Sequence, residues 1–273
     1  MGAGLAHRAS RLWALAALLL GVAGPAQAHD TWVMPTTFRV PAGQPISTLL
    51  SAGHGLTPLS APRRRRLRVL QLVDSLGRRE PDRWQRGGKT AQAHFSAAAP
   101  GVACLALSTL ETLIDIEPDT VDKYLGEVQP PAAIVAAWQR QRARGEAWIE
   151  RYGKDAKTYL RSGDDSTGWP ALAQLGHALE LVPQSDPTRL EPGDTLRLVL
   201  HFKGQPAADV ALRLFNSAGD ERVVRTGTQG GAQFKRGAPG PHLVATTLIQ
   251  VPASAGAPWT SRFATLGFGV GSA

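Results

Sequence analysis

The stretch HALELVPQSDPTRLEPGDTLRLVLHFKGQPAADVALRL, residues 177–214, decides the fold. His177, Leu179 and Leu181 point one way and Ala178, Glu180 and Val182 the other, the two-residue period of a strand. Glu191-Pro192-Gly193-Asp194 is a turn, after which Leu196, Leu198, Leu200 and Phe202 share a face opposite Arg197, His201 and Lys203. Val210, Leu212 and Leu214 repeat the alternation up to the turn Asn216-Ser217-Ala218-Gly219. With Leu243–Val251 and Phe263–Val270 added, residues 176–273 predict about seven short strands, the count and spacing of an immunoglobulin-like β-sandwich. The cysteine pair of antibody domains is missing, so the likeness is architectural.

Upstream, residues 29–116 predict a second β-domain. Ile46–Ser51 follows Gly43-Gln44-Pro45 and closes on Ala52-Gly53-His54-Gly55; Leu67–Asp74 ends at Ser75-Leu76-Gly77; Val102–Ser108 follows Pro100-Gly101. The character changes near Glu117-Pro118-Asp119, a helix start with proline and acids at the positive end of the dipole. Pro130-Pro131 breaks that helix. Ala132–Arg151 resumes it as an amphipathic, alanine-rich segment that Trp138 and Trp148 dock on a sheet. Gly153–Arg161 fits helix or strand, with Thr158-Tyr159-Leu160 leaning to strand. The expected organisation is mainly β, with two β-sandwich-like domains separated by a helical segment and return strand over 117–161 and a linker over 162–175.

Residues 1–28 read as a secretory signal peptide: Arg8 and Arg11, the apolar run Leu12–Ala23, then the small-residue site Ala26-Gln27-Ala28. The run is shorter than the roughly 20 apolar residues of a spanning helix. Cleavage after Ala28 would leave a soluble, exported chain starting at His29, with no membrane span and a net charge of +6 from 28 basic and 22 acidic residues. Arg63-Arg64-Arg65-Arg66 and Arg68 lead directly into the apolar alternation of Leu67–Val73, so they read as a solvated strand edge rather than a nucleic-acid site. Cys104, the one cysteine, excludes a disulfide framework in a monomer and reads as a small core residue.

Enzyme signatures are missing: there is no G-x-S-x-G elbow, no H-E-x-x-H helix and no phosphate-binding loop. The expectation is a non-enzymatic protein. Asp164-Asp165 lacks the spaced oxygen ligands of a calcium loop and reads as exposed. What remains is a histidine that would become the chain terminus. His29 would then offer an α-amine, with a pKa of about 8, and an imidazole to one ion. His54, freed by its flanking glycines to turn toward that terminus, adds a second ring, and Asp30 a weak oxygen. Three nitrogens and waters suit Cu(II) or Ni(II). His201 and His242 are expected to face solvent, His177 to be partly buried and His94 to lack a partner.

The segments HDTWVMPTTFRV, AGHGL, RGEAWIERYGKDAKTYL and ELVPQSDPTRLEPGDTLRLVLHFKGQP together resemble the periplasmic domain of unknown function 4198 family, grouped with nickel and cobalt uptake accessory proteins. The resemblance runs over essentially the whole mature chain. It implies export to the periplasm and carries His29 and His54 over as metal ligands. With the ligand chemistry, the expected function is binding or delivery of nickel, cobalt or copper, the ion being handed to a membrane transporter. Where similar proteins carry a histidine in the last long strand, this chain has Thr247, which implies a reduced ligand set. A binding or scaffold module anchored by exposed Trp84, Trp169 or Trp259 is the alternative from another class. A copper oxidase built on the same histidine pair is a third, and it requires an aromatic ring beside the ion.

Overall fold

The computed structural model describes residues 29–165, 167–235 and 237–271. The expected signal peptide lies outside them. Ten strands come first: β1 (Asp30–Pro35), β2 (Arg39–Val40), β3 (Ile46–His54), β4 (Thr57–Ser60), β5 (Leu67–Asp74), β6 (Gly77–Arg79), β7 (Arg83–Gly87), β8 (Thr90–Phe95), β9 (Gly101–Thr109) and β10 (Thr112–Ile116). Helices α1 (Pro118–Val128) and α2 (Ala132–Ala143) follow, then the long strand β11 (Trp148–Ser162) and the single turn α3 (Trp169–Leu172). The chain ends with β12 (Leu179–Pro183), β13 (Thr195–Phe202), β14 (Gln205–Pro206), β15 (Ala211–Asn216), β16 (Glu221–Arg225), β17 (Gly231–Lys235), β18 (Gly240–Gln250) and β19 (Trp259–Val270). The protein is mainly β, as the alternation predicts.

Three sheets build two stacked layers, and one sheet serves both halves. Its main path runs β16-β15-β18-β19-β11-β9-β5-β6. The sheet of β12, β13, β14 and β17 covers its C-terminal half, burying Leu181, Leu196, Leu198 and Leu200 with Leu212, Leu214, Val244 and Leu266. The sheet β1-β3-β8-β7 covers its N-terminal half, burying Val33, Leu50, Ala93 and Phe95 with Leu70, Leu72, Leu105 and Leu160. The join is the parallel pairing of β11 with β19, Glu150 opposite Trp259 through Thr158 opposite Gly267.

The strand β11 corrects the expected helix over Ala132–Arg151. Gly145 takes a φ of 70°, a left-handed conformation that ends the helical segment just past Ala143. Over Trp148–Arg151 the burial period is two, Trp148 and Glu150 inside and Ile149 and Arg151 outside, and from Asp155 to Ser162 both faces are covered. Trp138 and Trp148 do dock helix on sheet, but from opposite sides, meeting edge-on at 5.4 Å. Trp148 also stacks on Trp259 at 4.0 Å. Trp259 is therefore core rather than an exposed anchor. Trp84 and Trp169 are partly buried against two different cores, so the three tryptophans form no common surface.

Several polar expectations change on folding. Both faces of β12 are covered, so Glu180 is buried, accepting from Lys157 Nζ at 2.7 Å and from the backbone N–H groups of Leu175, Gly176 and His177. His242, expected at the surface, is buried and stacks on Phe268 at 5.4 Å. His201 is half-buried and His94 is paired through Nδ1 with Ser47 Oγ at 3.0 Å. Cys104 is fully buried and burial pushes its thiol up to about 12. A thiol-specific reagent such as Ellman's should therefore leave the native protein unlabelled and label one thiol after denaturation; rapid native labelling would contradict this packing.

Candidate metal centre

The first strand is held from both edges, and this places His29. Along one edge β1 pairs antiparallel with β3, Asp30 opposite Gly53 through Pro35 opposite Thr48. Along the other, alternate carbonyls accept from side chains of the large sheet: His29 from Lys154 Nζ at 2.5 Å, Thr31 from Thr265 Oγ1 at 2.7 Å, and Val33 from Thr158 Oγ1 at 2.5 Å. A buried edge strand needs such partners, because an unpaired carbonyl away from water is costly. Carried one residue beyond Asp30 and Gly53, the same register sets His29 across from His54.

The turn that carries His54 is built on two glycines. A register shift between Ala52 and Gly53 interrupts the β3–β4 ladder. A Cβ on Gly53 would lie 1.8 Å from the Thr57 carbonyl oxygen. Gly55 has a φ of +54°, and a Cβ there would meet the Phe215 ring at 2.7 Å. The His54 ring then stands edge-on to Phe215 at 5.4 Å, its Nε2 3.9 Å from Glu221 Oε2. Gly55→Ala is expected to cost about 1–3 kcal/mol by overpacking, visible as a lower urea midpoint with an unchanged slope. An unaffected midpoint would show that the turn is loose.

His29 and His54 are brought within electrostatic range of one another. Burial first, then Lys154 and His54, hold the His29 ring below its ordinary pKa. The ring is thus neutral at pH 7, and its lone pair needs no proton expelled before it can bind a cation. His177 is likewise lowered, by burial first. Both groups therefore contribute stability above pH 6.5 that is lost as the pH falls through their depressed folded values. Their share of the stability should fall between about pH 6.5 and 5, and by NMR both rings should titrate below the ordinary value of about 6.5; a ring titrating above it would contradict its burial.

Asp30 is placed differently. Its carboxylate is buried, receives Arg213 Nη2 at 2.9 and 3.2 Å on its two oxygens, and accepts from the Gly55 N–H at 3.4 Å. Burial raises its pKa, opposed by Arg213 and Lys154. These contacts engage both oxygens, so Asp30 acts as the anchor of β1, with its guanidinium partner lying over Phe215 at 5.4 Å. Among the described residues, no three His, Cys, Asp or Glu side chains converge in a metal-binding group. A third nitrogen at this place would require the amine that cleavage after Ala28 would free on His29. Lys154, Arg213, Phe215 and Glu221 join this cluster without a sequence signal. Arg213 sits in an alternating strand where its neighbours Leu212 and Leu214 assign it to the polar side, and only the overlying β1 makes that side interior.

The architecture is a pair of β-sandwiches sharing one broad sheet, with a helical cap and with His29 and His54 aligned across β1 and β3. The chain belongs to the family described as domain of unknown function (DUF4198), whose model matches residues 26–250. No functionally curated protein matches it. Among solved structures it is similar to a Salmonella alpha-2-macroglobulin variant, at 11% identity and a TM-score of 0.24, covering 89% of this chain and 15% of that one. It is also similar to fibronectin(III)-like modules of Clostridium thermocellum CbhA, at 10% identity and a TM-score of 0.18, covering 87% and 94% of the two chains. A third is the Bacillus anthracis TIE protein, at 9% identity and a TM-score of 0.18, covering 89% and 41%. This chain thus spans 15% of the first of these. The overlaps are too loose to argue from, and the fold rests on the sheets themselves.

Proposed function

We propose that the protein is an exported, periplasmic, non-enzymatic carrier that captures a divalent transition-metal ion at His29 and His54. The cargo is nickel, cobalt or copper, and a membrane metal transporter receives it. The observation supporting this reading is the β1–β3 register, which aligns two histidines 25 positions apart in sequence at the point where cleavage after Ala28 would free an amine. His29 supplies amine and ring nitrogen, His54 the second ring, and Asp30 holds the strand rather than the ion. Three nitrogens with open positions suit capture followed by release better than a closed structural site.

The test is titration calorimetry of the mature chain, its His29 terminus verified by mass, against Ni(II), Co(II) and Cu(II). Binding tighter than millimolar that disappears in His54→Ala is the expected result. Its absence for all three ions would end the metal reading. The oxidase reading keeps one observation in its favour, the Phe215 ring packed against His54. Ascorbate-dependent peroxide formation by the copper-loaded protein, above that of free Cu(II), would favour it over a carrier.

A further inference from the structure

Arg63–Arg66 and Arg68 look like the solvated lead-in to a strand, and the fold adds five more cations to the same edge. Residues 63–89 hold nine arginines and one lysine against three carboxylates, so the rest of the mature chain is close to neutral at −1. Strand β6 ends the large sheet and β7 ends the sheet stacked on it, so both lie at one side of the N-terminal sandwich. Side-chain bonds tie the segments together there: Arg64 to Glu80 at 3.2 Å, Arg86 Nε to the Ala61 carbonyl at 3.3 Å, and Arg79 to Asp74 at 2.6 Å. Two of the three acids are consumed in these pairs. Arg63, Arg65, Arg68, Arg78, Arg83, Arg86 and Lys89 remain exposed.

We propose that this edge docks the protein on an anionic lipid bilayer through phosphate headgroups. Charge alone would serve an acidic protein segment equally well, but a second feature favours lipid. Leu76, at the tip of the β5–β6 turn and next in line to Arg78, is 74% exposed, the most open of the exposed large apolar side chains described. A lone apolar side chain beside cations gains free energy by entering the headgroup boundary while the arginines stay at phosphate level. The surface is also an edge rather than a pocket, matching a planar partner. Strand β1 lies three strands from β7 in its sheet, about 14 Å at about 4.8 Å per step. Docking by the basic edge therefore leaves the His29–His54 end accessible, and it does not depend on metal binding.

The experiment is co-sedimentation of the mature chain with phosphatidylglycerol–phosphatidylethanolamine vesicles and with phosphatidylcholine vesicles. Binding to the anionic vesicles at 50 mM salt, lost at 500 mM, and little binding to phosphatidylcholine are expected. Each arginine near an anionic surface is worth about fivefold in partitioning. The combined variant Arg65→Ser, Arg68→Ser, Arg78→Ser and Arg83→Ser should therefore partition at least about 100-fold less. Leu76→Ser should weaken binding several-fold without changing its salt dependence, and His54→Ala should not alter it. Unchanged melting temperatures confirm that the variants fold. No sedimentation at low salt, equal binding to both vesicle types, or retention of poly-glutamate in preference to vesicles would each overturn the proposal.

Discussion

Adding one glycine before His29 of the mature chain should weaken Ni(II) and Cu(II) binding by at least about 100-fold, more than loss of an outer-sphere partner costs. The added residue converts the amine into an amide that cannot bind without losing a backbone proton, while both imidazoles stay in place. His54→Ala should cause a loss of similar size by removing the facing ring. The glycine extension should leave the melting temperature of the metal-free protein unchanged, because the described contacts of His29 run through its carbonyl and ring. Equal affinity of the extended and native termini would show that the amine is not a ligand and that two rings alone carry any binding.

Arg213→Met should destabilise the protein by about 3–5 kcal/mol, the cost of leaving one half of a buried ion pair unpaired. For a chain of this size that is a fall in melting temperature of about 6–20 °C. The cause is Asp30, buried beside Gly55 with both oxygens on the guanidinium. Burial already raises the Asp30 pKa, and the Arg213 charge opposes it. Without that charge the carboxyl takes up a proton nearer neutrality. The folded variant then binds more protons than its unfolded chain, so its deficit should shrink as the pH is lowered from 8 to 5. Asp30→Asn on the Arg213→Met background should recover part of the loss. A deficit below about 1 kcal/mol, or one independent of pH, would show that the pair does not anchor β1.

Much of the β-architecture was legible because alternation is a local signal. Leu67–Asp74 forms the strand that its pattern predicts, and α1 begins at the proline and acid expected to start it. Residues 148–151 read as helix because alanine, arginine and glutamate, good helix formers, recur from Ala132 to Arg151. Their strand conformation is imposed by β10 on one side and β19 on the other. A strand hydrogen-bonded on both edges overrides weak local preference.

The candidate site divides in the same way. His29 was singled out by the cleavage pattern and His54 by its glycines, both local features of the chain. That the two face each other follows from an antiparallel register between strands separated by a loop, and no composition encodes it. The sequence alone determined strands, turns, helix starts and the histidine that processing would expose, because those depend on neighbours within a few residues. Only the tertiary structure decided that Asp30 serves Arg213, that Lys154 holds the His29 carbonyl, and that ten cations share one edge. Burial and charge proximity are properties of distant segments brought together, and they appear only once the sheets stack.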